Sequence, residues 1–131
     1  MFKITVIIIL LFITSPARSE IVDIERLATA IYYAEGGRSP RDGKPRANVK
    51  YPYGVLSVKC HGDQECRAVC VRSIKHRLAR FKKDRGATGT AEAFIWYFSG
   101  IWASIGVSND PHGLNKNWYK NTLYWYKKLG G

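Results

Sequence analysis

The sequence predicts a single, mainly α domain with irregular loops. Three observations carry that expectation. Four segments space their apolar residues at the helical period rather than in alternation. Turn and capping chemistry rich in Gly, Pro, Asn and Asp separates those segments. The one stretch favouring a strand, residues 51–58, contains Pro52 and Gly54, so a short extended piece and a compact loop are both open there. There is no internal repeat and no low-complexity tract.

The chain opens with Lys3, an apolar run from Ile4 to Thr14, and the small-x-small signature Ala17-Arg18-Ser19. This pattern predicts a signal peptide over residues 1–19, cleaved before Glu20. The run is short for a membrane span, and an uncleaved N-terminal anchor is the alternative. Cleavage leaves 112 of the 131 residues, which suits one domain over residues 20–131. The expected location is therefore the periplasm or the medium.

The first helix is expected over residues 21–34. Ile24, Leu27, Ala28 and Ile31 share one stripe at about 100° per residue. A turn-rich loop follows over residues 36–45, made basic by Arg38, Arg41 and Lys44, with Arg46 directly after it. A second helix is expected over residues 63–81 with Asp63 as its N-cap. Cys66, Val69, Cys70, Ile74, Leu78 and Phe81 form its buried side, and arginines and Lys75 decorate the rest. Thr90 should cap a third helix over residues 91–99, rich in aromatics at Phe94, Trp96, Tyr97 and Phe98. Asn109-Asp110-Pro111-His112-Gly113 reads as a turn. A last helix over residues 116–129 carries Trp118, Leu123, Trp125 and Tyr126, with Lys127 and Lys128 suited to its C-terminal dipole.

Cys60, Cys66 and Cys70 are the only cysteines. Export permits a disulfide, and an odd count leaves one thiol over. Cys66 and Cys70, one helical turn apart, have roughly parallel Cβ vectors and bridge poorly. Cys60 precedes the helix, so the expected pair is Cys60–Cys66, with Cys70 reduced and buried. Cys-x5-Cys-x3-Cys matches no common zinc-finger spacing, and neither a metal nor another cofactor is expected.

The formal net charge is +11; loss of Lys3 and Arg18 takes the basic count from 21 to 19 against 10 acidic residues, or +9. For an exported protein nucleic acid is not the expected target. An anionic surface or polymer is: cell wall, lipopolysaccharide or acidic lipid. A monomer is expected.

Glu35 is the candidate for chemistry. It falls four residues after Ile31, on the apolar stripe, with Gly36-Gly37 behind it. A carboxylate aimed at a core or cleft loses hydration, which favours the neutral acid and raises its pKa. A general acid working near neutral pH needs that. Asp42, Asp63 and Asp110 are the loop candidates for a second carboxylate, though turn and cap roles explain them as well. Tyr53 and Tyr97 are candidates to hydrogen-bond a ligand, and Trp96, Trp102 and Trp118 to stack on rings. No Ser or Cys nucleophile motif accompanies His61, His76 or His112.

Ala34-Glu35-Gly36-Gly37, followed sixteen residues after Glu35 by Tyr51-Pro52-Tyr53-Gly54-Val55-Leu56-Ser57, resembles the lysozyme-like fold of soluble lytic transglycosylases and goose-type lysozymes. The aromatic segment Trp96-Tyr97-Phe98-Ser99-Gly100 stands in the place of that family's third motif, and the order covers nearly all of residues 20–131. The wording departs from the family pattern. Ser57 replaces a glutamine, Gly36 a serine, and the Ala-Tyr-Asn-Ala-Gly phrase is absent. The resemblance implies an exported glycosidase that cuts peptidoglycan between N-acetylmuramic acid and N-acetylglucosamine, with Glu35 as its acid. It also implies Tyr53, Gly54, Ser57 and Tyr97 as residues that bind the glycan strand. Two other readings stand beside it: a cationic wall- or membrane-binding protein without turnover, and a small inhibitor using the loop from Arg38 to Arg46.

Overall fold

Asp23 sets where the first helix begins. Its carboxylate accepts the Arg26 backbone N–H at 3.0 Å, satisfying one of the orphan donors at the start of α1 (Ile24–Tyr32). The helix therefore starts three residues later than its apolar pattern suggests. It passes into a wide turn over Tyr33–Gly37, where Gly36 adopts φ 94° and ψ 9°. That left-handed conformation is open to glycine at little cost and ends the helix one residue after Glu35.

The structure is a computed structural model that describes residues 20–37, 44, 52–54, 59–85, 89–103 and 113–131. Pro52–Gly54 is a tight 3₁₀ turn rather than a strand. Helix α2 (Gly62–Arg85) outruns the expected segment at both ends, so Asp63 lies inside its first turn and does not cap it. Asp63 instead accepts the Tyr32 hydroxyl at 3.0 Å, and Glu65 accepts the His61 backbone N–H at 3.0 Å.

Thr90 caps α3 (Ala91–Trp102) as expected, its side chain accepting the Ala93 N–H at 3.1 Å. That helix continues past residue 99 to Trp102, whose ring stacks on Phe98 with centroids 5.3 Å apart. A 3₁₀ turn, Leu114–Asn117, leads into α4 (Trp118–Leu129). Among the described residues there is no strand, and the protein is mainly α.

Helix α1 packs on α4 and α2, and α3 closes against α2 and α4. Leu27, Ala28 and Ile31 of α1 meet Cys70, Ile74, Leu78 and Phe81 of α2, Phe94 and Phe98 of α3, and Trp125 and Tyr126 of α4 in one buried core. Removing each large side chain from water contributes about 1.5–3 kcal/mol. Phe81 and Phe94 meet edge to face at 5.5 Å. Tyr126 joins α4 to the start of α1: its hydroxyl accepts the Asp23 N–H at 2.9 Å, and Arg26 lies 4.0 Å over its ring. The surface ion pairs, such as Lys127 to Glu92 at 2.6 Å, are exposed and add little.

Cys60 and Cys66 are joined, as their spacing predicts, with Cα atoms 5.1 Å apart. Cys70 is reduced and buried, and burial pushes its thiol up to about 12. Among the described residues no group of three His, Cys, Asp or Glu side chains is placed to hold a metal ion, and no helix is long and apolar enough to cross a membrane. The expected signal peptide, residues 1–19, lies outside the described residues.

Candidate functional site

Glu35 stands at the end of the stripe that α1 buries, at the point where Gly36 turns the chain away. It is half-buried. The indole N–H of Trp118, the first residue of α4, donates to its Oε1 at 2.6 Å. Two influences act on this carboxyl. Burial removes hydration from the charged form and raises its pKa; the Trp118 hydrogen bond favours the charged form and opposes that rise. Burial wins, so Glu35 stays protonated to a higher pH than an ordinary glutamate.

The other wall is the turn Pro52–Gly54. Gly54 has φ 65°, and a Cβ on it would lie 2.6 Å from Oε1 and 2.7 Å from Cδ of Glu35. The carboxyl thus occupies the space that any side chain at position 54 would need. Glycine is required there twice over, by backbone angle and by contact.

Tyr53, one residue earlier, also has a positive φ, 60°, which is uncommon for a bulky residue and costs on the order of 1–3 kcal/mol. Its surroundings hold it there. It is only 5 % exposed, with its ring 5.0 Å from that of Tyr32. Its hydroxyl accepts from Arg67 Nη1 at 3.2 Å, and its carbonyl accepts the Trp102 indole N–H at 3.2 Å. Arg67 also donates to the Thr29 hydroxyl at 3.1 Å, to the Glu25 carbonyl at 3.0 Å and to the Glu25 carboxylate at 2.8 Å. One guanidinium therefore binds α1, α2 and the turn that carries Gly54.

Of the residues singled out from the sequence, Glu35, Tyr53 and Gly54 come together. Tyr53 enters as a clamped, buried side chain whose hydroxyl is engaged by Arg67. Tyr97 is not brought to Glu35 by its contacts. Its ring packs on Phe81 at 5.4 Å and Phe94 at 6.2 Å, and it lines a separate groove. The helix dictates this: a step of one residue turns about 100°, and Phe98 already takes the inward direction, with its ring 6.2 Å from Trp118. Ser57, Asp42, Asp110 and His112 lie outside the described residues, as do Arg38, Arg41 and Arg46. Lys44, from the same loop, is exposed.

Two contributors were not assigned these roles by pattern. Trp118 reads as core or as a ring platform; its N–H proves to be the partner of the acid. Arg67 reads as one more surface arginine on α2. Its position between Cys66 and Cys70, at the margin of the buried stripe, is the signal that separates it from Arg72 and Arg80. No family model, curated protein or solved structure matches this chain.

Proposed function

We propose that this protein is an exported glycosidase of lysozyme-like fold that cleaves the glycan backbone of peptidoglycan, with Glu35 as the general acid and base. The observation that carries the reading is Glu35 itself. It is a carboxyl at a helix end, its pKa raised by burial, oriented by a tryptophan N–H and faced by a glycine at which no side chain would fit. Protonation of the glycosidic oxygen by Glu35 lets the C–O bond break through an oxocarbenium-like transition state. The resulting carboxylate then takes a proton from the attacking hydroxyl. No second carboxylate is assigned. The 6-hydroxyl of the substrate supplies that nucleophile directly, or the acetamido oxygen attacks first and the adduct is opened by water, whose proton Glu35 takes, as the resemblance implies. Tyr53 positions Gly54, and Ser57 and Tyr97 remain proposed contacts to the glycan strand.

The decisive experiment is zymography on whole sacculi with Glu35→Gln as control. That change keeps the shape and removes the proton donor. The parent should clear the substrate, and the variant should lose at least about a hundredfold in rate. Clearing by the variant at the parental rate would sink the assignment.

The rival reading, a cationic wall- or membrane-binding monomer without turnover, has one observation of its own. Arg72, Lys75 and Lys83 are exposed along one side of α2. It predicts that neither the parent nor the Glu35→Gln variant clears sacculi and that both bind them in a salt-dependent way.

A further inference from the structure

Helix α3 has a second working face. Phe98 and Trp102 look toward Trp118 and the Tyr53 turn, whereas Trp96, Tyr97 and Gly100 face a groove of about 440 Å³ shared with the 3₁₀ turn and the start of α4. Small-ligand sites run from about 300 to 1,000 Å³. Glu35 does not line this groove. Its aromatic wall is Trp96 against Tyr119, edge to face with centroids 5.0 Å apart, and Trp96 leaves 64 % of its surface exposed. Its charges are Arg85, which lies 5.3 Å over the Phe81 ring, and Lys116. Among the described residues neither cation is in an ion pair, and no acidic side chain lines the groove. The remaining lining includes Ser99, Gly100 and Ala103, whose small side chains leave room for methyl-sized groups.

An exposed tryptophan, a small-residue wall and two cations without an ion pair among the described residues suit a ligand that is apolar in its side chains and negative at its ends. A neutral sugar would leave both cations unused, and inorganic phosphate would leave the aromatic wall unused. We infer that this groove binds a short, alanine-rich peptide bearing carboxylates, with its methyl groups against Ser99, Gly100 and Ala103 and its carboxylates drawn to Arg85 and Lys116. The source of such a ligand rests on the function proposed above: the peptide branches of peptidoglycan have this chemistry, and holding one would anchor the strand on the protein.

The test is an NMR titration of the ¹⁵N-labelled protein with acetyl-Ala-Glu-Ala-Ala carrying a free C-terminal carboxylate, a probe with two carboxylates and no cation. The Trp96 indole and the Tyr119 amide should shift and saturate. Gly100→Leu should weaken binding at least about tenfold. A Cβ at position 100 meets nothing within 4 Å, so the substitution fills the groove while raising helix propensity. The double reversal Arg85→Glu with Lys116→Glu should weaken it as much. Absence of saturation at about 10 mM peptide overturns the inference. So does a neutral chito-oligosaccharide that shifts Trp96 and Tyr119 equally and ignores the charge reversal. Glu35→Gln should bind the peptide as the parent does. Cutting of sacculi without peptide binding removes the groove proposal alone; peptide binding by a protein that does not cut sacculi leaves the groove and removes the glycosidase.

Discussion

Trp118 and Glu35 are 83 residues apart in the chain and 2.6 Å apart in space, the indole N–H donating to the carboxyl Oε1. Among the described residues this hydrogen bond opposes the desolvation that raises the pKa of Glu35. Trp118→Phe keeps an aromatic ring, though a smaller one, at this buried position, which is 6 % exposed in the native protein, and deletes the donor. With desolvation unopposed, the pKa of Glu35 should rise further. The alkaline limb of the rate profile on peptidoglycan should move to higher pH, while the maximal rate falls by about tenfold through loss of orientation. An unmoved limb would show that the indole does not act on the acid.

The raised pKa of Glu35 has a sign that stability measurements can read. Its protonated form is preferred by the folded state, so the associated stability is fully present at low pH and is lost as the pH rises through the folded pKa. Glu35→Gln has no such loss. Thermal melts should show the variant level with the parent below about pH 4 and increasingly more stable above it. The opposite trend would mean that the folded site favours the carboxylate.

Gly54 and Gly62 form a matched pair for testing how closely the turn meets the acid. Both have positive φ, 65° and 74°, but a Cβ at Gly62 meets nothing within 4 Å while one at Gly54 strikes the Glu35 carboxyl. Alanine at position 62 should cost only the backbone strain, about 1 kcal/mol. At position 54 alanine should cost about 2–4 kcal/mol and displace Glu35, reducing activity nearly as far as Glu35→Gln. Equal melting temperatures for the two variants would refute the contact.

The Cys60–Cys66 bridge closes a short loop, six residues in separation. Replacing both cysteines by serine should therefore lower stability by only about 2 kcal/mol on the chain-entropy account, measurable by denaturant titration. A loss well above that would mean that the bridge also holds the N-terminal end of α2 in place.

Cys70 should be chemically silent. Its thiol is pushed up to about 12 by burial, with Glu35 adding to the rise and Arg67 opposing it. Thiolate is the reacting species, so iodoacetamide at about pH 8 should leave Cys70 unlabelled in the native protein and label it on unfolding. Rapid native labelling would show that the α1–α2 interface opens.

The helices, the Thr90 cap, the buried stripe of α2, the disulfide pair and the candidacy of Glu35 were all legible in the sequence. Each rests on local geometry. A period near 3.6 assigns a face, a cap or glycine assigns an end, and two cysteines one helical turn apart disfavour each other. Ends shifted where a local competitor intervened, as when Asp23 delayed α1 or Trp102 prolonged α3 through its stack on Phe98.

The partners of Glu35 were not legible. Nothing near residue 35 in the chain announces Trp118, nothing marks Arg67 as the clamp on Tyr53, and the motif order sets Tyr97 beside an acid that its ring contacts do not reach. These relationships depend on how four helices rotate and dock, which the packing of side chains such as Phe98, Trp118 and Ile31 decides collectively. Periodicity says which face of a helix is buried; which partner that face meets is a property of the assembled core.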